Sequence, residues 1–196
     1  NTMAGTTTGG SNTAVGRSAM YSNQTGNNNV ALGYNTLSAN TASLNTAIGS
    51  QALTSNTSAS NNTAVGYQAL RLNTTGTSNV AVGAQALDAN VTTNNNTAIG
   101  YNSLTANTGA DNTAVGNNSL ASNTTANDNT AVGKAAMFTN TTGTSNVAFG
   151  KDSLRTNSTG NANTAIGFEA LKASTTASNN TALGKESLLA TTTGDL

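Results

Sequence analysis

The block Asn-(Thr/Val)-Ala-(Val/Ile/Leu/Phe)-Gly recurs eleven times, starting at Asn12, Asn29, Asn45, Asn62, Asn79, Asn96, Asn112, Asn129, Asn146, Asn163 and Asn180. Successive starts lie 16 or 17 residues apart. A period this short excludes helical-pair repeats, which need more than about 30 residues, and lies below the leucine-rich range, which begins at about 20. It suits one coil of a β-solenoid that rises by about 4.8 Å per coil, so eleven coils make a rod on the order of 50 Å long. The expected fold is all-β: a parallel β-solenoid, or β-roll, of about eleven 16–17-residue coils. Residues 12–196 read as one elongated tandem-repeat domain, and residues 1–11 as a degenerate partial repeat whose block is Asn1-Thr2-Met3-Ala4-Gly5. The array starts and stops in mid-register, and Asn1 is not an initiator, so a segment of a longer fibre is expected.

Each position of the unit has a physical reading. The second residue is always Thr or Val, β-branched and suited to a pleated ladder. The Gly that closes the block implies positive φ or a tight corner, a geometry that stacked corners must repeat. The fourth residue is always large and apolar: Val15, Leu32, Ile48, Val65, Val82, Ile99, Val115, Val132, Phe149, Ile166 and Leu183. The ninth is always Leu or Met: Met20, Leu37, Leu53, Leu70, Leu87, Leu104, Leu120, Met137, Leu154, Leu171 and Leu188. These two columns are expected to form the buried stripe. The intervening Gly-x-x-Ala-Leu segment suits either a second strand or one helical turn, and the strand is favoured. A polar stretch follows, with Asn at its third residue in nine units (Asn23, Asn40, Asn56, Asn73, Asn90, Asn107, Asn123, Asn140 and Asn157). Asn tolerates left-handed backbone and stacks into amide ladders. The two shorter units lose their residue here, between Asn40 and Asn45 and between Asn107 and Asn112, which marks the stretch as the loop.

The third position is Ala in every unit: Ala14, Ala31, Ala47, Ala64, Ala81, Ala98, Ala114, Ala131, Ala148, Ala165 and Ala182. Side chains alternate along a strand, so Thr63 and Val65 point one way and Ala64 the other. If Val65 faces the coil interior, the constant Ala faces outward, and its small size suits close approach of another backbone. That makes the Ala column a candidate subunit interface. If Ala64 faces inward, the Val/Ile column faces outward and needs a cover. Either assignment leaves an apolar stripe, so self-association along the rod is expected.

The block with its sequel, Asn-(Thr/Val)-Ala-(Val/Ile)-Gly-x-x-(Ala/Ser), resembles the head repeats of the YadA-type trimeric autotransporter adhesins. It is also similar to the Asn-Thr-Ala-Ile-Gly-x-x-Ala-Leu repeats of phage tail fibres and bacterial surface proteins, often found upstream of an endosialidase-type chaperone domain. The likeness covers Asn12 to Leu188. It implies a homotrimer of left-handed parallel β-rolls forming a stiff fibre or head, placed outside the cell, on a bacterial surface or a virion. The Asn-Thr-Thr-Gly loop makes the unit longer than the adhesin repeat, which implies a different cross-section.

Composition narrows the chemistry. There is no His and no Cys, which excludes nucleophile–base pairs built on either residue, a disulfide framework and thiolate metal sites. Seven Lys and Arg balance seven acids without a basic stripe, so nucleic acid is not an expected partner. No apolar run approaches the roughly 20 residues that span a bilayer, so membrane insertion by this segment is not expected. Asp152, Glu169 and Glu186 share one column beside Lys151 and Lys185 and read as a solvated charge ladder. Asp111 and Asp128 share a loop position, but the Gly-Gly-x-Gly-x-Asp pattern of calcium β-rolls is absent. No catalysis, cofactor or metal is expected. Tyr34, Tyr67 and Tyr101 follow the corner Gly and are candidate glycan-stacking residues, offering flat apolar rings with a polar tip. Adjacent Thr pairs in the loop, such as Thr74-Thr75 and Thr141-Thr142, suggest an alternative, an ice-binding array. The leading expectation is a structural or adhesive fibre segment that spaces or presents a receptor-binding element. Its partners are other copies of itself, as a homotrimer or other homo-oligomer, and a cell-surface glycan or protein receptor.

Overall fold

The computed structural model describes Met3 and residues 8–190. Eleven strands of three residues each follow one another as β1 (Thr13–Val15), β2 (Val30–Leu32), β3 (Thr46–Ile48), β4 (Thr63–Val65), β5 (Val80–Val82), β6 (Thr97–Ile99), β7 (Thr113–Val115), β8 (Thr130–Val132), β9 (Val147–Phe149), β10 (Thr164–Ile166) and β11 (Thr181–Leu183). They form one parallel sheet in sequence order. The register is fixed throughout, with Ala64 beside Ala47 and Ala81, and Val65 beside Ile48 and Val82. The chain is thus a β-solenoid of about ten turns, without a helix among the described residues.

The strand is short because both its ends are bent. Asn61, before the block, has φ +63° and Gly66, after it, +139°. A Cβ on Gly66 would sit 2.5 Å from the carbonyl oxygen of Gly83, so the corner excludes every other residue by close approach as well as by dihedral.

The next segment is neither strand nor helical turn. Positive φ recurs at alternate residues, Gly66, Gln68 (+56°) and Leu70 (+50°), and the same values return in every coil. The backbone bonds still run along the rod: Gln68 N–H donates to Ser50 O at 3.0 Å and Leu70 N–H to Ala86 O at 3.0 Å. The segment therefore keeps the inter-coil hydrogen bonding of a sheet with the dihedrals of a tight curl. A left-handed Leu costs on the order of 1–2 kcal/mol, and burial of its side chain offsets that cost.

Two expectations about facing are reversed. The Leu/Met column is fully buried from Met20 to Leu171, and it shares the interior with the Ala column and with the Ala, Ser or Thr of the eighth position. Ala31, Ala47, Ala64, Ala81, Ala98, Ala114, Ala131, Ala148, Ala165 and Ala182 are buried core residues, and Ala14 packs against that core, so the candidate interface column faces the rod's own interior instead. Val15, Leu32, Ile48, Val65, Val82, Ile99, Val115, Val132, Phe149, Ile166 and Leu183 point outward and are half-buried or exposed, with Val15 and Phe149 both at 56%. The reason is size. One Leu per rung fills the lumen of a 17-residue coil, and the strand can turn only its smallest residue toward it.

The N-terminal register is also corrected. Met3 has φ +50° and donates its N–H to Ala19 O, as Met20 (φ +50°) donates to Thr36 O. Met3 therefore occupies the Leu/Met column one coil before Met20, not the third position of a block. The rest of Asn1-Thr2-Met3-Ala4-Gly5 lies outside the described residues.

Beside the apolar lumen run two buried columns of Asn. In the first, each block Asn accepts from the next coil, as when Asn79 N–H donates to Asn62 Oδ1 at 2.9 Å. In the second, Asn73 Nδ2 donates to Asn56 Oδ1 at 3.0 Å, and Asn90 Nδ2 donates to Asn73 Oδ1 at 3.1 Å. The two columns meet on the loop carbonyls: Gly76 O accepts from both Asn62 Nδ2 (2.9 Å) and Asn73 Nδ2 (3.0 Å). In the shorter units the second Asn reaches a carbonyl two residues on instead of three, Asn40 to Ala42 and Asn107 to Gly109, which places each deletion inside this loop.

Candidate functional surface

With Ala and Leu inside, the outer face of the sheet carries the second and fourth positions. Every residue there is Thr, Val, Leu, Ile or Phe, so eleven consecutive rungs present a face with no charged side chain. Val15, Val30, Leu32, Ile99, Val147, Phe149, Ile166 and Leu183 are its most exposed apolar members.

The sixth and seventh positions lie just past the Gly corner. Tyr34, Tyr67 and Tyr101 stand in the sixth column on alternate coils, separated by Ser50 and Ala84, and are 49%, 53% and 50% exposed. The register is held by backbone bonds from the seventh position of each coil to the sixth of the coil before, such as Gln85 N–H to Tyr67 O at 2.9 Å and Asn102 N–H to Ala84 O at 3.1 Å. Over the same coils the seventh column is all amide: Asn35, Gln51, Gln68, Gln85, Asn102 and Asn118. Gln68 Nε2 donates to Gln51 Oε1 at 2.9 Å, while the side-chain amides of Asn35, Gln85 and Asn102 take no partner among the described residues. At the N-terminal end of the column the Arg17 guanidinium lies 5.8 Å from the centre of the Tyr34 ring.

Toward the C-terminus the same two columns turn ionic. Lys151 pairs with Asp152 at 3.1 Å, and Arg155 reaches the same carboxylate at 3.4 Å. Lys172 pairs with Glu169 at 2.7 Å and Lys185 with Glu186 at 3.2 Å. Each carboxylate of the acidic column thus faces a cation. The ring of Phe168 lies between two ammonium groups, Lys151 at 5.1 Å and Lys185 at 5.9 Å. Nearer the middle of the chain, Arg71 grips Asp88 with two parallel bonds of 2.8 and 3.0 Å, which hold its guanidinium above the usual arginine value.

The remaining features have less to offer chemically. Asp111 accepts from Asn95 Nδ2 at 3.0 Å. No group of three potential metal ligands forms among the described residues. A hollow of about 220 Å³ lies between Ser18, Tyr21, Asn35 and Ser38, smaller than the roughly 300 Å³ at which ligand pockets begin. In the loop, Thr74, Thr124 and Thr141, each the first of a Thr pair, donate their hydroxyls to the next coil, to Val91 O, Thr141 O and Ser158 O. Those hydroxyls serve the rod's own backbone.

The comparisons name nothing. No protein-family model, curated protein or solved structure matches the chain.

The repeat register predicts the positions of the Tyr column and the acidic ladder, but Asp152 is buried rather than solvated. The register missed the role of the block Asn as a hydrogen-bonded rung. Its presence in all eleven units was the available signal.

Proposed function

We propose that this chain is a segment of a self-associating extracellular fibre, a homotrimeric shaft or head on a virion or bacterial surface that spaces or presents a receptor-binding element. It works without catalysis. One observation carries the reading: the outward Val/Ile/Leu/Phe column, continuous over eleven rungs with no charged neighbour on its face. Soluble monomers rarely leave a contiguous apolar patch of more than a few hundred Å² in water. Three rods turning this face to a common axis bury it, and the identical rungs keep the contact in step along the whole length. The resemblance to adhesin head repeats and tail-fibre repeats supports the same arrangement.

The test is the mass in solution by sedimentation equilibrium, with three times the chain mass expected. Adding charge on the outer face (Ile48→Glu, Val82→Glu and Val115→Glu together) should release single rods with an unchanged circular dichroism spectrum. A wild-type chain that stays monomeric at tens of micromolar would sink the proposal.

A further inference from the structure

We propose that Tyr34, Tyr67 and Tyr101, with the amide column beside them, form a binding track for a neutral, extended β-1,4-linked glycan lying parallel to the rod axis. The inference goes beyond the fibre reading and does not rest on it, because a single rod presents both columns.

The rings recur on every second coil, so they stand about two strand spacings apart, roughly 9.6 Å. In an extended β-1,4-linked hexose chain, successive sugars are flipped, and the same face returns every second sugar. That disaccharide length is close to two strand spacings. Three rings therefore address the first, third and fifth sugars of one strand of glycan. Only Ser50 and Ala84 stand between the rings, so nothing bulky interrupts the track.

A sugar offers an apolar C–H face and a rim of hydroxyls. The exposed rings suit the face. The amides of the seventh column suit the rim, since each both donates and accepts. Those of Asn35, Gln85 and Asn102 are not engaged by other described residues. The aromatic rings and the unbroken amide run share coils two to six, and both give way to Lys, Asp and Glu toward the C-terminus. From Tyr34 to Asn118 neither column holds an ionisable group other than the tyrosines, which fits an uncharged ligand.

The experiment is calorimetric titration of the chain with cello-oligosaccharides and chito-oligosaccharides of two to six sugars, and with maltohexaose, whose α-linked chain coils and loses the step. Affinity for at least one β-linked series should rise in two steps, at three and at five sugars, by about five- to tenfold each. Tyr67→Ala should weaken the longest glycan by about tenfold, and the triple variant Tyr34→Ala/Tyr67→Ala/Tyr101→Ala should abolish binding at an unchanged melting temperature. Gln85→Ala/Asn102→Ala should weaken it several-fold with the rings intact. Cellulose-type and chitin-type probes separate the two sources of such a chain, and binding of either supports the track. Failure of both β-linked series to bind, equal binding of maltohexaose, or wild-type affinity in the triple variant overturns it. Mass is read on the same samples: a monomer that binds the glycan sinks the trimer and leaves the track standing.

Discussion

Asn157 and Ser174 occupy successive rungs of one buried column, and where they meet the amide ladder stops. Asn157 Oδ1 and Ser174 Oγ are both buried without a hydrogen-bond partner. One coil earlier, Asn157 Nδ2 donates to Asn140 Oδ1 at 2.8 Å, and Gly160 O accepts from both Asn146 and Asn157. At the defect, Ala177 O accepts from Asn163 at 2.8 Å, and Ser174 supplies no second amide. Ser174→Asn restores both bonds, and an unsatisfied buried polar atom costs about 1–3 kcal/mol. The variant is expected to stabilise the rod by about 1–2 kcal/mol, read as a higher urea midpoint at unchanged slope.

The reverse change belongs in the middle of the ladder. Asn73→Ala removes the bonds to Asn56 Oδ1 and Gly76 O and leaves Asn90 Nδ2 with Thr93 O as its remaining acceptor. A loss of about 3 kcal/mol is expected from the orphaned buried groups together with the cavity. Denaturant melts of this variant beside Thr75→Ala, an exposed loop position, provide the comparison.

The strand distinguishes its faces by size. Ala64→Leu forces a large side chain into a lumen already filled by Leu70, and overpacking of this kind costs about 1–3 kcal/mol or more. Val65→Ala, one residue away and outward, should leave the thermal stability of a single rod within about 0.5 kcal/mol. Equal effects at the two positions would refute the inward Ala.

Backbone sign gives a fourth test. Ser78 is exposed with φ +58°, and it precedes a block Asn. Ser78→Gly should be neutral to stabilising by about 0.5–1 kcal/mol, because relief of the left-handed strain outweighs the added freedom of the unfolded chain. Gly66→Ala should cost about 3 kcal/mol, since the new Cβ meets Gly83 O as well as an unfavourable φ. Thermal melts should show Gly66→Ala lowered and Ser78→Gly unchanged or raised.

A fifth expectation concerns pH. Arg71 is raised above its usual value by its bonds to Asp88, so that contribution is complete below the unfolded arginine value and fades only as pH rises through the higher folded one. With no His or Cys in the chain, no side-chain type that ordinarily titrates near neutrality is present. The melting temperature should be flat between about pH 6 and 8. A sharp transition inside that window would contradict a rod held together by neutral amides.

The sequence made the period, the Gly corner, the Leu column and the loop that absorbs deletions legible, because each is a property that every coil must repeat. The facing of the strand was not legible. A three-residue strand with Val on one side and Ala on the other satisfies alternation either way, and hydrophobicity favours the wrong answer. Lumen width decides it, and width emerges only when the curl from Gly66 to Leu70 is known. That curl was hidden because Leu70 adopts a dihedral that Leu rarely takes, so propensity pointed to a strand or a helical turn. On the outer surface the Tyr column was legible in register, whereas its pairing with the amide column required both to lie past the same corner.

Among the described strands, each touches only the one before and the one after it. Such an object has no favoured length. Excising one unit, residues 79–95, or duplicating it, joins coils that already match. Loss or gain of one unit therefore shortens or lengthens the rod by a single coil without disturbing any joint.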